Sequence, residues 1–178
     1  ASNTGYGKAL QNKVLVMGAF GILVYVGAEV AIGSYLVSYF ISMNMHETII
    51  STPFMNGIAY KLLAVDPATL DKKAIVGAFV AFYWGGAMVG RFVGAYLTRA
   101  FNPAKVLAVF ASCAVLMIGL SMSTTGLVAM WAIIAVGLFN SIMFPTIFSL
   151  SVSDMDELKP QASGILCTMI VGGALIPP

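Results

Sequence analysis

The chain has 178 residues, of which 60% are hydrophobic and only 9% charged, with a net charge of +2 and a mean hydropathy of +0.94. A water-soluble domain carries charge on about a quarter of its residues, so this chain cannot coat a solvated surface and lipid is its expected solvent. The scattered basic residues exclude a nucleic-acid-binding stripe, and Cys113 and Cys167 are too few and too far apart for a disulfide framework or metal site.

Spans come first, because a hydrocarbon core about 30 Å thick needs about 20 apolar residues in helix. Five apolar runs meet that length in order: 14–40, 74–97, 106–122, 127–150 and 162–178. Each is about twice as long as a membrane strand and lacks strict alternation, so the expected class is an all-α membrane protein of about five transmembrane helices. The first run is too long for a signal peptide, no Met precedes it, and the last is still apolar at Pro178; the chain reads as a piece of a longer protein. Both cysteines lie inside apolar runs and read as small core residues.

Of the connections, only 44–73 is long. It is amphipathic in places and holds His46, the single histidine, while 151–161 is acidic. Lys8 and Lys13 precede the first run, and Arg91, Arg99 and Lys105 flank the joint between the second and third. Parity puts these with Lys159 on one side, so the amino terminus is expected in the cytoplasm. With one histidine, placed in a loop, no triad or His-based metal site is available, and the glycine pairs lack the Lys-Ser/Thr ending of a phosphate loop. An enzyme is not expected.

The polar residues inside the runs are the candidates for function. Glu29 lies mid-run, where a bare carboxylate costs about 3 kcal/mol or more, and such groups are protonated, paired or turned to a water-filled cavity. It is read as a transport group, with a permanently neutral Glu bonded to a neighbouring helix as the alternative. Tyr25, one turn earlier, shares its face. Asn140, central in the fourth run, suits a hydroxyl-rich ligand or serves as interhelical glue. Tyr83 and Trp84 are central in the second run rather than at its interfaces, where they stack on a sugar ring or simply pack. Gly86, Gly90 and Gly94 form a small-residue stripe that lets another helix approach. Arg91 is close enough to the end of its run to snorkel. Pro145, Gly172–Gly173 and Pro177–Pro178 are expected to weaken their helices.

Four stretches share one further property. The segments 25–40 (YVGAEVAIGSYLVSYF), 83–99 (YWGGAMVGRFVGAYLTR), 139–150 (FNSIMFPTIFSL) and 163–178 (SGILCTMIVGGALIPP) together resemble the fucose permease branch of the major facilitator superfamily, and within it the bacterial glucose/galactose transporters. The resemblance implies helices 7 to 11 of a twelve-helix fold in a bacterial inner membrane. It also implies a monosaccharide substrate, symport with H+ or Na+ rather than a cofactor, and an amino-terminal half that this chain lacks. Residues 90–99, with Arg91 and Arg99, resemble the superfamily's cytoplasmic loop motif, but Thr98 stands where its aspartate is expected. Tyr25, Glu29 and Asn140 are the site positions whose local motif matches. Two rival readings are a sugar receptor on the same fold, marked by a soluble signalling extension, and an efflux transporter for apolar compounds, which would have no use for Asn140.

Overall fold

Amide side chains and prolines set the starts of the helices. Asn12 Oδ1 accepts from the Val14 and Leu15 amides at 2.9 and 3.2 Å, satisfying donors that a helix leaves unpaired at its amino end. Asn102 does the same for Ala104 at 2.9 Å, with Pro103 at the first helical position, where its missing N–H costs nothing.

The computed structural model describes residues 3–177, and every regular element among them is helical. The α-helices are α1 (Asn3–Ala9), α2 (Lys13–Ser42), α3 (Met45–Ser51), α4 (Pro53–Leu63), α5 (Lys72–Ala100), α6 (Pro103–Ser123), α7 (Gly126–Asn140), α8 (Met143–Val152), α9 (Lys159–Thr168) and α10 (Gly172–Leu175). Short 3-10 turns occupy Pro67–Thr69, Asp156–Leu158 and Met169–Val171.

Among the described residues, four segments are long and apolar enough to cross a membrane: α2, α5, α6, and α7 with α8 taken together (Gly126–Val152). At about 1.5 Å per residue, even α6 reaches about 30 Å. The fifth apolar run differs from the others. It is helical in three pieces, α9, the turn at Met169–Val171 and α10, and the break falls beside Gly172 and Gly173. Pro178 lies outside the described residues. The fourth run is interrupted at Ser141–Ile142, one turn before Pro145. Proline supplies no N–H to the carbonyl four residues back, here Ser141, and its ring crowds that oxygen. The helix resumes with the Thr146 amide bonded to the Ile142 carbonyl at 3.1 Å.

Two sequence expectations are corrected. The 44–73 connection is folded into α3 and α4, whose buried Met45, Ile49, Met55 and Ala59 give them an apolar side, and His46 is buried in α3 at 6% exposure. Cys167 is exposed on α9 rather than a core residue, and Cys113 is half-buried.

The chain forms two compact units, and α2, α5 and α6 each contribute residues to both. The first comprises 1–33, 94–109 and 142–178. Its core is Leu15, Ala19 and Ile22 of α2 with Ala9, Met155, Ala162 and Leu166. Three glycines make room for close contacts there: a methyl at Gly18 would overlap the Ser151 hydroxyl, one at Gly27 the Ile176 side chain, and one at Gly172 the Leu23 carbonyl. Ser151 Oγ donates to the Ile147 carbonyl at 2.7 Å, so its hydroxyl is satisfied within its own helix.

The second unit comprises 34–93 and 110–141. Leu36, Phe40, Ile75, Phe79 and Met130 are fully buried in it. A polar clamp ties three helices: Tyr39 Oη of α2 lies 3.0 Å from Ser121 Oγ of α6, which donates to the Ala129 carbonyl of α7 at 2.9 Å. Where no water competes, each such bond replaces an unsatisfied polar group.

Candidate functional site

In the second unit the candidates gather where α5 meets α7. The Gly86–Gly90 part of the stripe lies against Leu138: a methyl at Gly86 would touch the Leu138 backbone, and one at Gly90 would overlap the Leu138 carbonyl and the Ser141 hydroxyl. The contact is reciprocal, because Gly137 leaves room for Tyr83; a methyl there would overlap the Tyr83 carbonyl and press on its ring. Backbones at this separation are what a small-xxx-small stripe permits.

That approach defines a socket. Tyr83 is 1% exposed, and its hydroxyl accepts from Asn140 Nδ2 at 3.5 Å. Asn140, one turn after Gly137 on α7, is 6% exposed. Trp84, the next residue on α5, turns out of the socket and is 52% exposed. Its ring stands edge-to-face on Tyr83, with centroids 5.3 Å apart and planes at 88°, a favoured aromatic arrangement. Ser141, at the helix break, returns its hydroxyl to the Leu138 carbonyl at 2.8 Å.

The first unit holds the other candidates. Glu29 lies close to the middle of the 30-residue α2 and is half-buried. Its carboxylate has no hydrogen-bond or ion-pair partner among the described residues. Tyr25 is half-buried one turn earlier and has an interaction partner within the structure. Gly173 approaches Val26 and Val30 on the same helix, while Ala28 and Val30 keep exposed surface beside Glu29. Gly94, the last of the stripe, belongs to this unit and seats Ile142, where a methyl would overlap its side chain.

Arg91 and Arg99 are both exposed on α5, and neither has an acidic partner among the described residues. Thr98, where an aspartate was expected, returns its hydroxyl to the Gly94 carbonyl at 2.9 Å and contributes no charge. Arg99 in the last turn suits the negative end of the helix dipole. No cluster of acids, histidines and cysteines fit for a metal occurs among the described residues.

Sequence reasoning found Tyr83, Asn140 and the stripe but missed Gly137, the residue that seats Tyr83. Its signal was a glycine inside an apolar helix, one turn before that helix's single amide. Gly27 and Gly172 were also missed as contact residues. Each meets a partner more than a hundred residues away in the chain, which no local pattern reveals.

No protein-family model matches the chain. Its curated relatives include a glucose/galactose transporter of Brucella abortus, 43% identical over 171 residues, covering 96% of this chain and 36% of the relative. The L-fucose-proton symporter of Escherichia coli is 30% identical over 158 residues, covering 86% of this chain and 30% of the relative. The chain spans about a third of the length of these curated relatives. Among solved structures, a major facilitator superfamily transporter crystallised in an outward conformation matches all of the chain with a TM-score of 0.77 at 23% identity, over 38% of its own length.

By fold, the chain is similar to part of a major facilitator superfamily transporter. By sequence it is a relative of the glucose/galactose transporters, with a fucose-proton symporter further off. The relatives are transporters, not enzymes.

Proposed function

We propose that the protein carrying this chain is a bacterial inner-membrane symporter that moves a hexose together with a cation, H+ or Na+, by alternating access. The observation that carries the reading is Glu29, a half-buried carboxylate near the middle of α2 with no partner among the described residues. A group left so in hydrocarbon costs several kcal/mol unless something polar reaches it. A coupling cation or a sugar hydroxyl is such a partner, and Tyr25 on the same helix face offers a second oxygen. The names of the relatives favour a monosaccharide, and one of them couples its sugar to protons. The chain corresponds to helices 7 to 11, and the amino-terminal half of the same transporter completes the translocation path.

Uptake of labelled glucose and galactose by the intact protein in proteoliposomes tests this, with proton and sodium gradients imposed in separate arms. Wild-type protein should accumulate at least one hexose against its gradient under one of the two ions. Glu29→Gln, which keeps the shape and removes the charge, should cut that uptake about tenfold or more. Wild-type rates with unchanged ion dependence in Glu29→Gln remove Glu29 from the mechanism.

A further inference from the structure

The Asn140–Tyr83–Trp84 chain divides into two buried residues and one exposed one. Asn140 and Tyr83 are 6% and 1% exposed, and the amide of one is spent on the hydroxyl of the other. Neither presents a surface on which a ligand can lie. Trp84 does: about half its surface is open, and its ring orientation is set from behind by Tyr83. Tyr83 is itself fixed on two sides, by the Gly137 backbone against its ring and by Asn140 at its hydroxyl. Any rotation of Tyr83 must therefore change the ring contact that Trp84 makes.

A pyranose has hydroxyls around its rim and a face of C–H bonds, the face that an indole ring accepts. Indole also carries one N–H donor for a rim hydroxyl. We infer that Trp84 is the sugar-contacting residue of this unit, stacking on the C–H face of a pyranose. Asn140 and Tyr83 are positioning residues that act through it. This rests on the sugar-transport reading and reassigns the amide and the tyrosine from contact to support. It predicts preference for hexoses with an uninterrupted C–H face, such as galactose.

The test uses the intact protein labelled with 5-fluorotryptophan, with the Trp84 resonance assigned by its loss in Trp84→Phe. An aqueous paramagnetic agent should broaden that resonance, and galactose should relieve the broadening. Tyr83→Phe keeps the ring but removes the hydroxyl that Asn140 engages. It should shift the Trp84 resonance and raise KM for galactose about three- to tenfold, with maximal rate within about twofold. Trp84→Phe should retain more affinity than Trp84→Ala. Broadening by nitroxide lipids in place of the aqueous agent, with no response to galactose, makes Trp84 a lipid-facing residue and overturns the assignment. An unmoved resonance and KM in Tyr83→Phe overturn the positioning role. Absence of any hexose uptake by wild-type protein defeats the transport reading itself, whereas uptake without protection of Trp84 defeats only this inference.

Discussion

Two polar residues set inside apolar helices, Asn140 of the second unit and Glu29 of the first, are treated in opposite ways. In the second, Asn140, Tyr83, Ser121 and Tyr39 are each answered by another group of the protein, and glycines on both helices let the partners come close. In the first, Glu29 is half-buried near the middle of α2 and nothing among the described residues answers it. A polar group that the fold satisfies serves the fold first, whereas one left unsatisfied in an apolar protein points to something that arrives from outside.

The contrast can be broken at its structural side first. Gly90→Leu forces a side chain into the Leu138 carbonyl, and the cost of overpacking with nowhere to yield is about 3 kcal/mol. That variant should be recovered in the membrane at a small fraction of the wild-type level, as read by immunoblot and by thermal unfolding in detergent. Normal recovery would mean that α5 and α7 are not held by this contact. Glu29→Gln should behave in the reverse manner, losing uptake as described above while its unfolding temperature stays unchanged or rises. A smaller effect is expected at the clamp. Ser121→Ala removes the hydroxyl between Tyr39 and Ala129 and should cost about 1 kcal/mol, seen as a modest drop in unfolding temperature. Arg91→Lys, at an exposed position without an acidic partner, should change stability by less than about 0.5 kcal/mol. A larger loss there would reveal a partner outside the described residues.

How much of this was legible in the chain follows from the range of the interactions. The four long spans were readable because hydrophobicity over about 20 residues is a local property, and the glycine stripe because every-fourth spacing is local too. The α3–α4 segment escaped because its helices are short and its apolar residues, such as Met45 and Met55, are mixed with exposed ones such as Phe54. Pro145 announced a disturbance, and its place one turn upstream follows from the carbonyl that proline leaves unpaired. The partnership of Asn140 with Tyr83 was not readable, since 57 residues separate them and only the glycine-lined approach of their helices makes it possible. Glu29 stood out because a charge inside an apolar run is conspicuous without any knowledge of its neighbours.

The interruption before Pro145 has an electrical side as well. Pro145 has no N–H to give the Ser141 carbonyl, so that oxygen lacks the donor an unbroken helix would supply. Polarity is thereby delivered into an apolar span by main chain alone, with no ionisable side chain to desolvate. Such an acceptor does not change with pH, and it follows from the proline rather than from any ionisable side chain.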